Sequence, residues 1–182
     1  PQFWISPMNA TPRHPDSPVR LGLVGFGAWG SHLAREIQQT PGAQLAMIAA
    51  NSPQSQAAAA TACPEVPVSS DYRQLIAQPD IDVVDIVVPT HLHADIAVAA
   101  LQHGKHVLLE KPMAASVSDC QRILAAAESS SRLLAIGFEL RMSRLWGRVH
   151  ELIQAGAVGE PQYCLIELFR RPYRLGSGGW RY

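Results

Sequence analysis

The chain has 182 residues, of which 47% are hydrophobic and 16% are charged, and its 15 basic and 15 acidic residues cancel. This length and apolar content suit one domain with a sizeable core, or one domain and part of another. A protein that binds duplex nucleic acid needs a net basic face, and no apolar run approaches the ~18 residues of a membrane span. We therefore expect neither a nucleic acid nor a membrane as a partner.

Short apolar runs alternate with helical segments through most of the chain. Residues 1–18 come first; they contain five prolines and no apolar period, which predicts a flexible extension. Six predicted strands follow, over residues 21–24, 44–49, 66–68, 83–88, 106–109 and 133–137. Ser52, Asp71 and Ser116 precede helices and are predicted N-caps. This alternation predicts an α/β fold, a Rossmann-type doubly wound parallel sheet covered on both faces.

The pattern changes after Arg141. A helix is predicted from there to about Gln154, and a longer strand over residues 162–169. We expect residues 19–140, which contain the regular alternation, to be a dinucleotide-binding domain. Because one strand cannot form a stable sheet alone, residues 141–182 would be the start of an incomplete α+β second domain for substrate binding and oligomerisation. The chain would be either a fragment of a longer enzyme or a natural truncation.

The first predicted strand runs into a glycine-rich turn that opens a helix. Three glycines there match G-x-G-x-x-G, the pattern that brings a pyrophosphate close to backbone amides at a helix N-terminus. Trp29, inside the turn, would pack either on the cofactor or on a neighbouring domain. The predicted cofactor contacts of this turn are Gly25, Phe26, Gly27, Ala28, Trp29 and Gly30.

The choice between NAD and NADP stays open in the sequence. An acidic residue at the end of the second strand would hold a ribose 2′-hydroxyl, but Asn51 and Ser52 occupy that place, and both are predicted cofactor contacts. Neither repels a 2′-phosphate, and no Lys or Arg lies between Arg35 and Arg73 to attract one. Ser52 has a second possible role as the helix cap.

Polar residues also follow the fourth and fifth predicted strands. Residues 89–93 read Pro-Thr-His-Leu-His, and residues 110–112 read Glu-Lys-Pro. In an open α/β sheet the ligand binds outside the carboxyl ends of the strands. Both segments are therefore expected at the same crevice as the glycine turn.

The stretch VPTHLHADIAVAALQHGKHVLLEKPMA, together with the glycine turn, resembles the glucose–fructose oxidoreductase / inositol dehydrogenase family of NAD(P)-dependent oxidoreductases. The resemblance covers about residues 19–159. It implies hydride transfer between a nicotinamide and a hydroxyl-bearing carbon of a sugar, polyol or related compound. It also implies a C-terminal domain built on an open, mostly antiparallel sheet and a homo-oligomeric full-length protein.

By the same resemblance, Lys111 is the catalytic residue and also contacts the cofactor. Further implied cofactor contacts are Pro89, Thr90, His93, Glu110 and Arg141. One departure is Glu139, which stands where members often have asparagine, and a carboxylate cannot donate the hydrogen bonds of an amide. Members also use an aspartate–histidine pair from the second domain beside the lysine, which this chain does not supply.

The chemistry of Lys111 agrees with that implication. Oxidation of a carbinol requires removal of its hydroxyl proton, and a positioned lysine can accept a proton whereas an arginine effectively cannot. Of the fifteen basic residues only Lys105 and Lys111 are lysines. The alternative is a surface ion pair between Lys111 and Glu110, and Lys105 is interpreted as a solvated charge.

Neither the histidines nor the cysteines indicate a metal site. His91 and His93 are two positions apart at a helix start, with no ligand cluster nearby. The cysteines form neither a zinc signature nor an even disulfide set, which suits a reducing compartment, and no signal peptide is visible. We expect a cytoplasmic protein. The cysteines are Cys63, Cys120 and Cys164.

Two other functions are compatible with these residues. A non-catalytic dinucleotide-binding or sensor module would bind the cofactor without turnover. A redox-neutral, NAD-assisted reaction would consume substrate with no net change in NADH.

Overall fold

Six short strands form one parallel sheet in the computed structural model, which describes residues 17–167 and 169. The order across the sheet is β3-β2-β1-β4-β5-β6, the strand order of a Rossmann fold. The predicted fold class is therefore confirmed; the predicted extension lies outside the described residues except at positions 17 and 18. The strands are β1 (Val19–Val24), β2 (Ala43–Ala49), β3 (Val68–Ser69), β4 (Val83–Ile86), β5 (His106–Leu109) and β6 (Leu134–Ile136).

Helices connect the strands, and the three predicted N-caps are confirmed. Ser52 Oγ accepts from the backbone N–H of Ser55 at 3.1 Å, and Ser116 Oγ accepts from Asp119 N–H at 3.1 Å. Asp71 caps its helix in the same way. Within the described ranges, no helix combines the length and apolar character needed to cross a bilayer. The helices are α1 (Ala28–Gln39), α2 (Pro53–Ala62), α3 (Tyr72–Ile76), α4 (His93–Gln102), α5 (Val117–Ser130) and α6 (Arg144–Gln154).

The helix whose start the sequence places at His91 and His93 begins at the second of these residues. Thr90–Leu92 form a 3₁₀ turn, closed by a hydrogen bond from Leu92 N–H to the Pro89 carbonyl at 2.9 Å, and α4 starts at His93. The proline fixes the backbone where the chain leaves β4, so the first turn is tighter than an α-helix. This turn places Thr90 and His93 at the carboxyl edge of the sheet.

The sheet separates two apolar cores. Neighbouring residues on β1 point to opposite faces, with Leu23 in the core that includes α1 and α2. Val24 belongs to the core formed with α3, α4 and α5. Both side chains are almost completely buried, as expected for a parallel sheet with helices on both faces.

The chain divides into two compact units, the first ending at Gly137 and the second beginning at Phe138. In the second unit α6 is capped by Ser143, whose Oγ accepts from Trp146 N–H at 3.2 Å. The strand predicted over residues 162–169 is wrong where it can be checked, since residues 162–167 and 169 form no strand. A strand needs a hydrogen-bonded neighbour, and the described residues of this unit contain none.

The interpretation of Lys105 as a solvated charge is also wrong. Its side chain is only 6% exposed, and its ammonium donates to the carbonyl oxygens of Gln78 and Ile81. These carbonyls follow α3 and precede β4, so the lysine joins that connection to the start of β5. The stem packs inside while the head satisfies backbone acceptors.

We expect Lys105→Met to lower the free energy of unfolding by about 1–3 kcal/mol, because the two carbonyls lose their donor in a buried place. Urea unfolding measures this change. Lys111→Met is the matched control, since that lysine is exposed, and its effect should stay within about 0.5 kcal/mol. Equal effects of the two substitutions would contradict the structural role of Lys105.

Candidate functional site

The first and third glycines of the turn between β1 and α1 are required by close packing. Gly25 has a φ of +103°, and a Cβ there would lie 2.1 Å from the Val87 carbonyl oxygen. A Cβ at Gly30 would lie 2.2 Å from the carbonyl oxygen of Gly25. A larger residue at Gly25 would push the turn away from the segment that follows β4, and a larger residue at Gly30 would push α1 away from the turn.

The second glycine faces open space. Gly27 is the N-cap of α1, and a Cβ at this position would meet no described atom within 4 Å. No side chain in the described part of the chain caps this helix, so its first amides face the opening. Such amides bind anions, and the cradle fits a pyrophosphate. A cavity of about 340 Å³ adjoins it, lined by Phe26, Gly27, Ala28, Ser31, Gln54, Ser55 and Ala58.

The remaining residues of the turn have different surroundings. Phe26 is buried in the core with α1 and α2, so its ring is largely a packing group. Trp29 is 45% exposed and stacks at a tilt against His32, with 5.0 Å between ring centroids.

At the end of β2, Asn51 is exposed and Ser52 is half-buried. The hydroxyl of Ser52 is hydrogen-bonded to the side chain and to the backbone N–H of Ser55.

The carboxyl ends of β1, β4 and β5 are aligned side by side. Val24 pairs with Ile86, and Ile86 pairs with Leu109. The next residue, Glu110, continues the ladder by donating its N–H to the Ile86 carbonyl at 3.1 Å. The glycine turn, the 3₁₀ turn with Thr90 and the Glu-Lys-Pro segment therefore leave the sheet at one edge, as predicted.

Glu110 is bound by two N–H donors. Its Oε1 accepts from the indole N–H of Trp29 at 2.7 Å, and its Oε2 accepts from the backbone N–H of Lys111 at 3.2 Å. A Cβ at Gly137 would lie 3.3 Å from Oε1, so this glycine leaves room for the carboxylate. Among the described residues, no ion pair joins Glu110 to the ammonium of Lys111, which is exposed.

His93 lies under the site, with only 1% of its surface exposed. Its Nδ1 is 2.9 Å from the carbonyl oxygen of Pro112, and its Nε2 is 3.0 Å from that of Val88. The ring therefore connects the segments that follow β4 and β5, and both nitrogens face the backbone. Sequence reasoning had no signal for these two partners.

Asp85 is a buried carboxyl group that sequence reasoning did not select. It lies in β4, is 2% exposed, and its Oδ1 has no hydrogen-bond partner among the described residues. Burial, and after it the nearby charge of Glu110, raises the pKa of Asp85 to about 7. An acidic residue inside an apolar strand is the signal that could have identified it.

Two other predictions concern the second unit and metals. Arg141 belongs to the second unit, in a 3₁₀ turn over Glu139–Met142, and its guanidinium lies 5.4 Å from the centre of the Phe138 ring. Within the described residues, no three His, Cys, Asp or Glu side chains are grouped as metal ligands.

Comparisons with known proteins identify the same fold. The model of a family described as "Oxidoreductase family, NAD-binding Rossmann fold" matches residues 19–138. An inositol 2-dehydrogenase of Salmonella typhimurium is 34% identical over 146 residues, which cover 79% of this chain and 44% of that enzyme.

Solved structures match over the same part of the chain. The apo scyllo-inositol dehydrogenase of Lactobacillus casei matches with a TM-score of 0.74 at 25% identity, over 79% of this chain and 44% of that one. A biliverdin reductase of Synechocystis, in complex with biliverdin and NADP⁺, matches with a TM-score of 0.68 at 30% identity, over 76% and 43%. This chain thus spans less than half the length of each of these relatives.

We expect Asp85→Asn to remove a pH-dependent loss of stability. The unfolded chain releases this proton near the ordinary pKa of 3.8, whereas the folded chain keeps it until a pKa of about 7. Between these values the folded state binds more protons, so its free energy of unfolding falls as pH rises. The gap corresponds to roughly 4 kcal/mol, and the variant should become more stable than the parent by up to about that amount by pH 8.

Urea unfolding of both proteins from pH 4 to pH 8 measures the difference. Asp119→Asn is a control of opposite sign, because hydrogen bonds from Ser116 and Arg122 lower the pKa of the partly exposed Asp119 carboxyl. That variant should be less stable than the parent at neutral pH, and the difference should begin to shrink as the pH falls toward 4, close to the ordinary pKa of 3.8 at which the unfolded chain takes up the proton. A pH-independent difference for Asp85→Asn would contradict its protonation on folding.

Proposed function

The chain belongs to the oxidoreductase family with an NAD-binding Rossmann fold, and on that premise we propose that it is the cofactor domain of an NAD(P)-dependent dehydrogenase. The proposed enzyme transfers a hydride between the nicotinamide and a hydroxyl-bearing carbon of a sugar, polyol or related compound. The relatives named as inositol dehydrogenases support this substrate class.

The observation that carries the proposal is the exposed ammonium of Lys111 at the carboxyl edge of the sheet. Glu110, the adjacent carboxylate, is bound by Trp29 and by the peptide N–H of Lys111. Lys111 is therefore available to hold the substrate hydroxyl and, once it has lost a proton and is a neutral amine, to accept the hydroxyl proton, a step for which lysine is suited and arginine is not. When bound, the nicotinamide supplies hydride acceptance or donation.

The glycine turn would hold the other end of the cofactor. The amides at the start of α1, exposed beside Gly27, would bind the pyrophosphate. Thr90 and Glu110, at the ends of β4 and β5, would line the nicotinamide half, and Asn51 would adjoin the adenosine ribose. Homo-oligomerisation, a cytoplasmic location and a contact from Arg141 stay predictions.

We expect Gly27→Ala to weaken cofactor binding by roughly tenfold or more, about 1.4 kcal/mol, while the fold is retained. The φ of −88° at this position suits alanine, and the new methyl group would enter the open cradle that the pyrophosphate needs. Calorimetric titration with NADH and separately with NADPH measures the affinity, and it also decides between the two cofactors.

Gly147→Ala is the matched control, since a Cβ at that position also meets no described atom within 4 Å, and binding should not change. Gly30→Ala is a second comparison, in which the clash with Gly25 should destabilise the fold itself. Unchanged affinity in folded Gly27→Ala would refute the glycine-turn assignment.

We expect Lys111→Ala to reduce turnover of the whole enzyme by at least 10²-fold, the usual scale of a lost general acid or base, with little change in cofactor affinity. Lys111→Arg keeps the positive charge but cannot release its proton, so it should be nearly as inactive. Steady-state kinetics with a polyol substrate measures both variants. Near-normal turnover in the alanine variant would exclude the assigned role.

A further inference from the structure

The imidazole of His93 connects the two segments that form the nicotinamide half of the proposed site. We propose that His93 is a positioning residue, which fixes the backbone that carries Lys111 through its hydrogen bond to the Pro112 carbonyl. This inference rests on the proposed function for its catalytic consequence. The structural part, the fixing of Lys111, can be tested without turnover.

The backbone around Lys111 is held on both sides. Upstream, Glu110 N–H donates to the Ile86 carbonyl at 3.1 Å. Downstream, the carbonyl oxygen of Pro112 lies 2.9 Å from His93 Nδ1. Lys111 N–H itself donates to the Glu110 carboxylate. With its neighbours fixed, the ammonium is free to move only through its own side-chain torsions.

The imidazole of His93, which holds this backbone, is itself rigid. His93 is the first residue of α4, and the ring is almost completely buried. Ala94 and Ala97 on the same helix are buried in the core with β4 and β5. A ring enclosed in this way cannot swing, so the Pro112 carbonyl is fixed relative to the sheet.

The second ring nitrogen lies against the neighbouring segment. Nε2 faces the carbonyl of Val88 at 3.0 Å, and Val88 precedes the 3₁₀ turn that carries Thr90. Carbonyl oxygens only accept hydrogen bonds, and a ring donates to both only when both nitrogens are protonated. The two contacts can therefore be separated by side chains that carry one donor.

The side chains of asparagine and glutamine each reproduce one of the two possible donors of the His93 ring. The side-chain nitrogen of asparagine can occupy the position of Nδ1, and that of glutamine the position of Nε2. His93→Asn should keep the bond to Pro112, and His93→Gln should keep only the bond to Val88. His93→Leu removes both while it fills most of the volume. If the bond to Pro112 positions Lys111, the backbone of Lys111 should stay ordered in His93→Asn and lose its order in His93→Leu and His93→Gln.

The chain offers an internal reference for this test, because Lys105 and Lys111 are its only lysines. Labelling with ¹⁵N-lysine gives one backbone amide signal for each. Lys105 N–H is hydrogen-bonded to the Ala100 carbonyl, remote from the proposed contact. We expect the order parameter of Lys111 to fall from about 0.85 to below about 0.6 in His93→Leu and His93→Gln, and to stay high in His93→Asn, with Lys105 unchanged in all three.

The catalytic part is tested in the whole enzyme. His93→Leu and His93→Gln should lower kcat by about 10²-fold, the scale expected when a catalytic group is misplaced by about 1 Å. Cofactor affinity should be retained in both variants. The kcat of His93→Asn should be close to that of the parent enzyme. Should His93→Leu fail to fold, the comparison of glutamine with asparagine still decides. An ordered Lys111 amide in folded His93→Gln would overturn the positioning role. Loss of order in His93→Gln combined with full activity of Lys111→Ala would instead refute the proposed function alone.

Discussion

The register of the three central strands is the constraint on which the site depends. Val24, Ile86 and Leu109 end their strands at the same level, and neighbouring strands lie about 4.8 Å apart. The three segments that follow them are therefore within about 10 Å of one another along the edge. A slip of one residue in either pairing would turn the buried strand residues to the wrong face, so the two apolar cores fix the position of the site.

Buried and exposed residues have separate roles at this edge. Gly25, Gly30 and His93 are packed against backbone carbonyls, at the distances given above, and they fix where the three segments run. Gly27 and Lys111 are exposed, as the proposed contacts with a cofactor and a substrate require. A site with this arrangement keeps its backbone geometry when it is empty, which lowers the cost of ordering on binding.

Sequence reasoning succeeded where the signal is local. A serine or aspartate before a helix, three spaced glycines and an apolar run each report on a few neighbouring residues, and the N-caps and the bounds of β5 were predicted on this basis. It failed where the partner is distant in sequence. Lys105 binds carbonyls 24 and 27 residues away, and His93 binds a carbonyl 19 residues away, so no local pattern distinguishes them from solvated groups. The strand expected over residues 162–169 failed because its pairing depends on a partner.

The hydrogen bonds of Glu110 are relevant to the role that we propose for Lys111. A contact ion pair would favour the ammonium form of the lysine and hold its proton. Here each oxygen of Glu110 accepts one hydrogen bond, from an indole N–H and a peptide N–H, and both are neutral donors that do not transfer a proton to the carboxylate. The negative charge of Glu110 instead acts on Asp85, whose pKa is raised to about 7 by burial and by this charge. The raised pKa of Asp85 limits the negative charge that accumulates near Glu110, whose carboxylate is oriented by its two N–H donors.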